Sequence, residues 1–189
     1  MTIHVAQDTD GLSRRPFTVA ELERMIESGV IGADENLELI EGDIVPMAAK
    51  YHAHERVKSA LILALAPVLP QHLWLGVESS IRLSDQTLVE PDLAIYRRDL
   101  NLADVRGPDI LLAVEVADTT LAFDKGPKAT LYAAYGVNEL WVVDASRRVT
   151  FVHREPSSAG WGSVREVGPD EPLQASGLAL APIRLAEID

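Results

Sequence analysis

The chain has 189 residues and a mass of 20.6 kDa, about the length of one domain with a substantial buried core. A composition of 47% hydrophobic and 24% charged residues excludes a disordered, collagen-like or low-complexity chain. The net charge of −12 excludes a basic coat for DNA, and the lack of cysteine excludes disulfides, thiol nucleophiles and cysteine-ligated metals. Any contact with nucleic acid must therefore be local or assisted by a metal ion.

Residues 1–16 are polar and show no hydrophobic periodicity, which predicts a flexible tail in front of a single domain over 17–189. The acidic start lacks the basic and then apolar pattern of a signal peptide, and Pro67 interrupts the longest apolar run. We therefore expect a cytoplasmic protein that does not enter a membrane.

The first predicted helix begins at Thr18, whose hydroxyl suits an N-cap with a carboxylate at the third helical position, and it ends at Gly29. A small hairpin is expected over Leu37–Met47, around a turn at residues 41–43. Apolar residues at helical spacing then predict a long second helix over His52–Leu69.

The second half of the chain alternates strand and helix patterns, which predicts a mixed α/β sheet flanked by helices. The almost wholly apolar segment Ile110–Ala117 indicates a buried central strand, and a third helix is expected over Lys125–Tyr135, ending at Gly136. The other predicted strands are Leu73–Leu83, Leu88–Tyr96, Leu140–Val143 and Val149–His153, and short stretches at Trp161–Val167 and Leu178–Leu185 are expected to cap the sheet.

Glu115 interrupts the apolar central strand and is the most informative residue of the sequence. Burying an unpaired carboxylate costs several kcal/mol, so this position requires a raised pKa, a hydrogen-bonded salt bridge or a metal ion. A structural salt bridge to an arginine and a metal-binding role both remain open at this point.

Asp92 follows Pro91 at the start of a predicted strand, where alternation places it on the face opposite Leu93. A lone Pro-Asp pair is more typical of a turn, but Asp92 can face Glu115 across neighbouring strands. In the helix that follows, Lys128 and Tyr132 share one face. Lys128 can then point back over the end of the central strand while Tyr132 packs, although a solvated surface lysine is the commoner case.

Taken together, these motifs resemble the bacterial Uma2-type family of restriction endonucleases within the PD-(D/E)xK nuclease superfamily. The resemblance runs from about Phe17 to the C-terminus, and the order and spacing of its motifs are more specific than any one of them. They are Glu38–Gly42, His54, Val89–Asp92, Leu112–Val116, Asp124, Lys128, Tyr132, Gly136–Val137 and Trp141–Asp144.

The resemblance implies an α+β restriction-endonuclease-like core in which Asp92 and Glu115 bind a divalent cation, Mg²⁺, for which Mn²⁺ can substitute. The chain departs from the superfamily pattern at Ala117, which stands where the catalytic lysine is expected. In families of this kind the lysine has moved to the following helix, and Lys128 matches that place, with Lys125 as the reserve candidate.

Two further residues enter through the same resemblance. Glu38 is implied as an additional metal ligand, although Glu41 lies close by and alternation alone does not decide which of the two points inward. His54 is expected to contact the phosphate or a metal-bound water, or else to be an ordinary half-buried polar residue at a helix start. The remaining histidines and the Arg97–Arg98 and Arg147–Arg148 pairs have no motif around them, although the arginines can help to hold DNA.

The leading hypothesis is therefore a magnesium-dependent endonuclease that hydrolyses phosphodiester bonds in DNA. The alternative is a homodimeric binding module that keeps the nuclease fold with weak or no catalysis. Hydrolysis of RNA or of another phosphate ester by the same metal site also remains open. Retention of two carboxylates and a lysine favours catalysis, because an inactive site has no physical reason to keep a buried carboxylate pair.

Overall fold

The structure, a computed structural model, describes residues 6–7, 13–32 and 34–188. Within the predicted N-terminal tail, positions 1–5 and 8–12 lie outside the described residues, and β1 (Ala6–Gln7) pairs antiparallel with β2 (Ser13–Arg14). The chain forms two units, one of Met1–Met47 with Ser80–Glu90 and one of Ala48–Ser79 with Pro91–Asp189.

The first unit contains the helix α1 (Val19–Glu27), which begins where the sequence predicts. Thr18 and Glu21 form a capping box, with the Glu21 amide donating to Thr18 Oγ1 at 3.2 Å and the Thr18 amide donating to Glu21 Oε2 at 3.0 Å. The helix ends before Gly29, whose φ of 73° is the left-handed conformation that terminates many helices.

The sheet of the first unit has four antiparallel strands in the order β4-β3-β7-β6. The strands are β3 (Leu37–Ile40), β4 (Asp43–Pro46), β6 (Ile81–Ser84) and β7 (Thr87–Val89). The predicted hairpin is confirmed, and Glu41 and Gly42 both have positive φ, as its two-residue turn requires. One cluster of buried apolar residues in this unit contains Val19, Leu22, Ile31 and Leu39.

The second unit is built on a six-stranded sheet in the order β12-β11-β10-β9-β8-β5. The strands are β5 (Leu73–Val77), β8 (Leu93–Arg97), β9 (Leu112–Ala117), β10 (Glu139–Asp144), β11 (Val149–Ser157) and β12 (Gly160–Val167). β9 and β10 are parallel and the other neighbours are antiparallel, which confirms the predicted mixed sheet. Every residue of β9 is buried, as expected of a central strand.

Two predicted strands are each divided between the two units, so the prediction of single strands there is wrong. The segment Leu73–Leu83 forms β5 and β6, and the segment Leu88–Tyr96 forms β7 and β8. The first break lies at Glu78, which has a left-handed φ of 46°, and the second lies at Pro91, which cannot donate a ladder hydrogen bond. Hydrophobic alternation continues across both breaks and therefore hides them.

The second helix, α2 (His52–Leu65), is shorter than predicted because it tightens into a 3₁₀ turn over Ala66–Val68. Pro67 lies in that turn, and the stripe of buried residues ends at Leu65, so that Val68 is 45% exposed. A proline inside a helical pattern removes a backbone donor, which explains the earlier end.

The third helix begins at Leu121, before the predicted start at Lys125. It consists of α3 (Leu121–Phe123), a π-helical segment (Asp124–Lys128) and α4 (Ala129–Ala134). Pro127 lies inside the π-helical segment, where the wider turn accommodates a residue without an amide hydrogen. The predicted end at Gly136 is confirmed by its φ of 77°.

The segment after β12 packs into the core of the second unit. Leu178, Leu180 and Leu185 are buried there, and Arg148 Nη1 donates to the carbonyls of Leu185 and Ile188 at 3.1 Å each. None of the helices in the described part of the chain has the length and apolar character needed to cross a membrane.

Candidate active site around the Asp92 and Glu115 carboxylates

Asp92 directly precedes β8, and Glu115 lies in the neighbouring strand β9. The pairing of these strands ends at Leu93 and Val114, the residues next to Asp92 and Glu115. Both carboxylates are buried, at 4% and 5% exposure, and the Val116 amide donates to Asp92 Oδ2 at 2.8 Å. The Asp92 carboxylate therefore reaches the backbone of β9 at the residue after Glu115.

Glu115 is contacted by two side chains from the helix that follows its strand. Lys128 Nζ lies 3.1 Å from Glu115 Oε1, and the Tyr132 hydroxyl donates to the same oxygen at 2.6 Å. Because residues four apart lie on one helical face, Lys128 and Tyr132 reach the strand together. The ionic partner is a lysine rather than an arginine, and Tyr132 does more than pack, since its hydroxyl holds the carboxylate.

The π-helical segment separates the two candidate lysines. Lys128 is buried, whereas Lys125 is exposed and places its ammonium 3.3 Å from the centre of the Phe151 ring. Asp124, at the start of the segment, accepts a hydrogen bond from Thr120 Oγ1 at 2.5 Å. The wider turn therefore directs the lysines to different partners, Lys128 to Glu115 and Lys125 to the Phe151 ring. π-helical turns are frequent at functional sites.

His54 lies at the beginning of α2 and contacts carboxylates with both ring nitrogens. Its Nε2 is 3.1 Å from Asp92 Oδ2, and its Nδ1 is 3.2 Å from Glu55 Oε1. The ring is 6% exposed, so it is held between the two carboxylates inside the protein. His54 is thus buried against Asp92 rather than half-buried, and its contact with the phosphate or a metal-bound water stays a prediction.

Six side chains of the second unit form a closed ring in which carboxylates alternate with lysine or histidine, which we call the Asp92 ring. Its members, in order, are Asp92, His54, Glu55, Lys58, Glu78 and Lys50. Lys58 Nζ lies 2.7 Å from Glu55 and 2.5 Å from Glu78, and Lys50 Nζ lies 2.5 Å from Glu78. The ring closes where Lys50 Nζ approaches Asp92 Oδ1 to 3.7 Å.

Hydrogen bonds within the Asp92 ring favour the charged forms of Glu55, Lys58 and Glu78. Hydrogen bonds from Lys50 and Lys58 lower the pKa of Glu78 to about 2. Burial alone lowers the pKa of Lys58, but the hydrogen bonds to Glu55 and Glu78 outweigh it and raise the pKa of this lysine. The hydrogen bond from Lys58 also lowers the pKa of Glu55. The contacts of Lys58 with Glu55 and Glu78 are therefore ion pairs at neutral pH.

The sequence analysis missed four members of the Asp92 ring, namely Lys50, Glu55, Lys58 and Glu78. The chain has only four lysines, and three of them, Lys50, Lys58 and Lys128, lie in this site. The scarcity of lysine was therefore one feature of the sequence that could have indicated the ring. The i,i+3 pair Glu55–Lys58 is visible in the sequence but is typical of any helix surface. Glu78 has no sequence pattern that indicates its role.

Glu38 and Glu41 differ in burial, which answers the question of direction that alternation left open. Glu38 lies on β3 of the first unit, is 4% exposed and accepts a hydrogen bond from the Glu90 amide at 2.8 Å. Glu41 is exposed in the hairpin turn. Glu38 is therefore the inward-facing residue of the two.

The remaining histidine and arginine candidates have structural partners. Burial lowers the pKa of His153, whose Nδ1 lies 3.0 Å from the Phe151 carbonyl. Arg97 pairs with Asp99, and Arg147 lies 3.6 Å from Glu166. Nothing in these contacts links the arginine pairs to the Asp92 and Glu115 carboxylates.

Comparison with known proteins agrees with the motifs that these residues carry. The Uma2 family model, described as "Putative restriction endonuclease", matches residues 19–184. The chain belongs to the Uma2 family. The crystal structure of a putative nuclease belonging to DUF820 from Anabaena variabilis superposes with a TM-score of 0.67 at 19% identity, covering 88% of this chain and 95% of that chain. The search of curated proteins found no match.

Membership of the Uma2 family confirms the resemblance that the order and spacing of the motifs indicated. The Anabaena structure confirms the fold class, a mixed α/β arrangement with a six-stranded sheet and helices. At 19% identity this likeness carries the fold alone. The chemistry of this Uma2 protein must therefore be argued from its own residues.

Proposed function

We propose that this Uma2 protein is a divalent-metal-dependent endonuclease that hydrolyses phosphodiester bonds in DNA. Asp92 and Glu115 are the proposed metal ligands, and Lys128 is the proposed catalytic lysine. The observation that carries the proposal is the 3.1 Å contact between Lys128 Nζ and Glu115 Oε1, made between buried side chains. It supplies the lysine of the acid–acid–lysine set although Ala117 occupies the usual lysine position.

The donor set fits a hard divalent cation. Mg²⁺ is usually bound by one or two carboxylates together with water and substrate phosphates, which matches the Asp92 and Glu115 pair. The described residues contain no group of three or more His, Cys, Asp or Glu side chains arranged as a metal site. We therefore expect weak binding of the cation without DNA and tighter binding when a phosphate completes its coordination.

Each protein side chain has a separate task in the proposed reaction. Magnesium, when bound, would polarise the scissile phosphate and lower the pKa of a coordinated water. Lys128 holds the attacking water and offsets negative charge that develops on the phosphate. Tyr132 donates to Glu115 and fixes its carboxylate, while the Val116 amide and His54 fix that of Asp92.

The local charge explains how an acidic protein can bind DNA here. The Asp92 ring together with Glu115 and Lys128 contains four carboxylates and three lysines, which leaves one negative charge when histidine is counted as neutral. One divalent cation makes this region positive by one charge, and one phosphodiester neutralises it. Most of the net charge of −12 therefore lies elsewhere on the chain. The expected setting is the cytoplasm, as a single chain or a homodimer.

A plasmid-cleavage assay in Mg²⁺ or Mn²⁺ tests the proposal with charge-removing variants that keep side-chain shape. Asp92→Asn and Glu115→Gln are expected to abolish cleavage. Asp144→Asn and Glu139→Gln are the matched controls, because Asp144 and Glu139 are equally buried carboxylates of the same sheet with other partners. Both controls should cleave at wild-type rates per folded molecule.

The contrary result is specific. If the wild type binds no divalent ion in calorimetry with DNA present, and its cleavage equals that of the Asp92→Asn/Glu115→Gln double variant, the nuclease proposal fails. The homodimeric binding module then becomes the better account. Cleavage of RNA or of a small phosphodiester but not of DNA would retain the mechanism and replace the substrate.

A further inference from the structure

We propose that Lys50 binds a phosphate group of the nucleic-acid substrate and that Glu78 positions Lys50 for this contact. The inference rests on the proposed function and adds a substrate-binding residue beyond the carboxylates and Lys128. It concerns the solvent-facing side of the Asp92 ring, which no sequence motif indicated.

Lys50 differs from the other lysine of the ring in exposure and in its partners. The Lys50 side chain is 22% exposed, whereas the Lys58 side chain is 7% exposed and hydrogen-bonds to both Glu55 and Glu78. An ammonium has three N–H donors, and Glu78 accepts one from Lys50. The 3.7 Å separation from Asp92 Oδ1 is an electrostatic contact that is too long for a hydrogen bond. Lys50 is therefore the ring lysine with donors directed to solvent.

The position of Lys50 next to Asp92 determines the chemistry of its ligand. Asp92 would hold the cation, and a phosphate bound there would be near the Lys50 ammonium, which lies 3.7 Å from Asp92 Oδ1. Lysine binds phosphate as a compact point charge, without the fixed geometry of arginine. A bound divalent cation also repels the ammonium and weakens its attraction to Asp92. Lys50 then keeps Glu78 and turns its other donors to the substrate.

Glu78 is well placed to hold Lys50 because its backbone is tied to Asp92. The Glu78 amide donates to the Asp92 carbonyl at 3.1 Å, directly after the end of β5. Its φ of 46° is the left-handed conformation, which a non-glycine residue adopts only when its surroundings hold it there. Lys58 fixes the Glu78 carboxylate from the inner side at 2.5 Å. Glu78 is therefore a positioning residue and not a catalytic one.

Steady-state cleavage of a short DNA duplex in Mg²⁺ tests the role of Lys50 through separate effects on KM and kcat. Lys50→Ala should raise KM about tenfold and change kcat by less than about threefold, because a ground-state phosphate contact is lost. Lys50→Arg should restore KM to within about threefold of wild type, since it keeps the charge. Arg184→Ala removes an exposed cation that pairs only with Glu187 in the described contacts and should behave as wild type.

DNA binding in Ca²⁺ gives a second readout that a structural role would not change. The slope of log K against log salt should decrease by about one in Lys50→Ala, as expected when one phosphate contact is removed. Arg184→Ala, which removes an exposed cation outside the Asp92 ring, should leave the salt slope unchanged. If Lys50→Ala does not fold, Lys50→Gln replaces it, because glutamine keeps an N–H donor for Glu78.

Glu78 is tested by a double-mutant cycle. Glu78→Gln should raise KM in the same direction as Lys50→Ala, and the double variant should show much less than the product of the two effects. If Lys50→Ala keeps the wild-type KM and salt slope while the wild type cleaves DNA, this inference is wrong and the proposed function stands. If the wild type neither cleaves DNA nor binds a cation, the proposed function itself is wrong.

Discussion

Glu115 and Glu139 are buried carboxylates on neighbouring parallel strands, yet their surroundings differ in kind. Glu139 is 1% exposed, and both of its oxygens accept hydrogen bonds from the sheet and the C-terminal segment. Trp141 Nε1 and Arg154 Nη2 donate to Oε1 at 2.6 and 3.1 Å, while Arg154 Nε and the Ser176 amide donate to Oε2 at 3.1 and 2.7 Å. This is a bidentate, structural ion pair.

Glu115 instead receives a lysine and a tyrosine hydroxyl from the helix after its strand, both on Oε1. An ammonium is a point charge on a flexible stem, whereas the guanidinium at Glu139 is a planar fork that matches a carboxylate. Burial of a carboxylate therefore does not by itself indicate catalysis. Two features distinguish the proposed site from the Glu139–Arg154 pair. The partner of Glu115 is a lysine, and a second buried carboxylate, that of Asp92, precedes the neighbouring strand.

The largest effect is expected from Lys128, the partner that most clearly separates Glu115 from Glu139. Lys128→Ala should lower the turnover number for DNA cleavage by about a hundredfold or more, as is typical when a group that stabilises transition-state charge is lost. Manganese affinity should stay equal or rise slightly, because removing a positive charge cannot weaken cation binding by Coulomb attraction. Single-turnover cleavage and manganese titration measure the two quantities.

Lys125→Ala is the matched control for Lys128→Ala, because Lys125 lies in the same π-helical segment but packs on Phe151. We expect only a modest loss of activity from it. A large loss in Lys125→Ala with little in Lys128→Ala would show that Lys125 is the catalytic lysine. No loss in either variant would mean that the reaction proceeds without a lysine from this helix.

The second prediction concerns the contribution of the Glu139–Arg154 pair to stability. Glu139→Gln should lower the free energy of unfolding by about 2–3 kcal/mol, because it removes the charge of a buried carboxylate that pairs with the partly exposed Arg154. The loss should be the same with and without Mg²⁺, and cleavage per folded molecule should be unchanged. Urea unfolding with and without Mg²⁺ measures the loss of stability, and a cleavage assay measures activity. A loss of cleavage in the folded variant would show that Glu139 contributes to the active site.

The third prediction uses the metal to separate the two carboxylates. A cation that binds only the folded state stabilises it by RT ln(1 + [L]/Kd), about 2.7 kcal/mol at a hundred times Kd. Mg²⁺ or Mn²⁺ should therefore raise the melting temperature of the wild type and of Glu139→Gln. The increase should be absent in Glu115→Gln, and an equal increase in all three proteins would place the cation elsewhere on this acidic chain.

The smallest expected effect is a pH dependence in the structural region, at His153 beside Arg154. Burial lowers the pKa of His153, and the nearby Lys125 charge acts in the same direction, while hydrogen bonding to Phe151 and Leu140 backbone opposes it. The unfolded chain therefore binds a proton on this histidine at a higher pH than the folded chain does. Stability should be complete above the ordinary histidine pKa of about 6.5 and should decrease as pH falls below it.

The size of the His153 effect is limited to one proton, less than about 1.4 kcal/mol per pH unit. His153→Gln keeps a donor for the Phe151 carbonyl and has no charge to gain, so its unfolding free energy should vary less between pH 7.5 and 5.5 than that of the wild type. Urea titrations at the two pH values measure the difference. Parallel curves for the two proteins would show that His153 does not contribute.

Local elements of the fold were predictable because their determinants are local. The capping box at Thr18, the hairpin turn at Glu41 and Gly42, and the buried central strand all follow from residue types within a few positions. The division of two strands between the units was not predictable, because the breaks at Glu78 and Pro91 leave the hydrophobic alternation in phase. The breaks depend on which strands pair across long sequence separations, and a single sequence does not reveal that pairing.

The same distinction applies to the site. Asp92, Glu115 and Lys128 stand out because a charge in an apolar strand, a Pro-Asp strand start and a helical lysine are visible in the chain and agree with a family pattern. Four members of the Asp92 ring do not stand out in the sequence. Glu78, for example, lies 28 and 20 positions away from its partners Lys50 and Lys58. Positions so far apart show no periodic pattern, and only the folded sheet brings them together.

Anomalous diffraction from crystals soaked in Mn²⁺ tests the central claim most directly, because it locates the cation without depending on activity. We predict a manganese peak coordinated by Asp92 and Glu115, and no peak at Glu139, the buried carboxylate of the neighbouring strand. A peak found only at other acidic residues, or none between Asp92 and Glu115 at manganese concentrations that support cleavage, would contradict the proposed metal-dependent site.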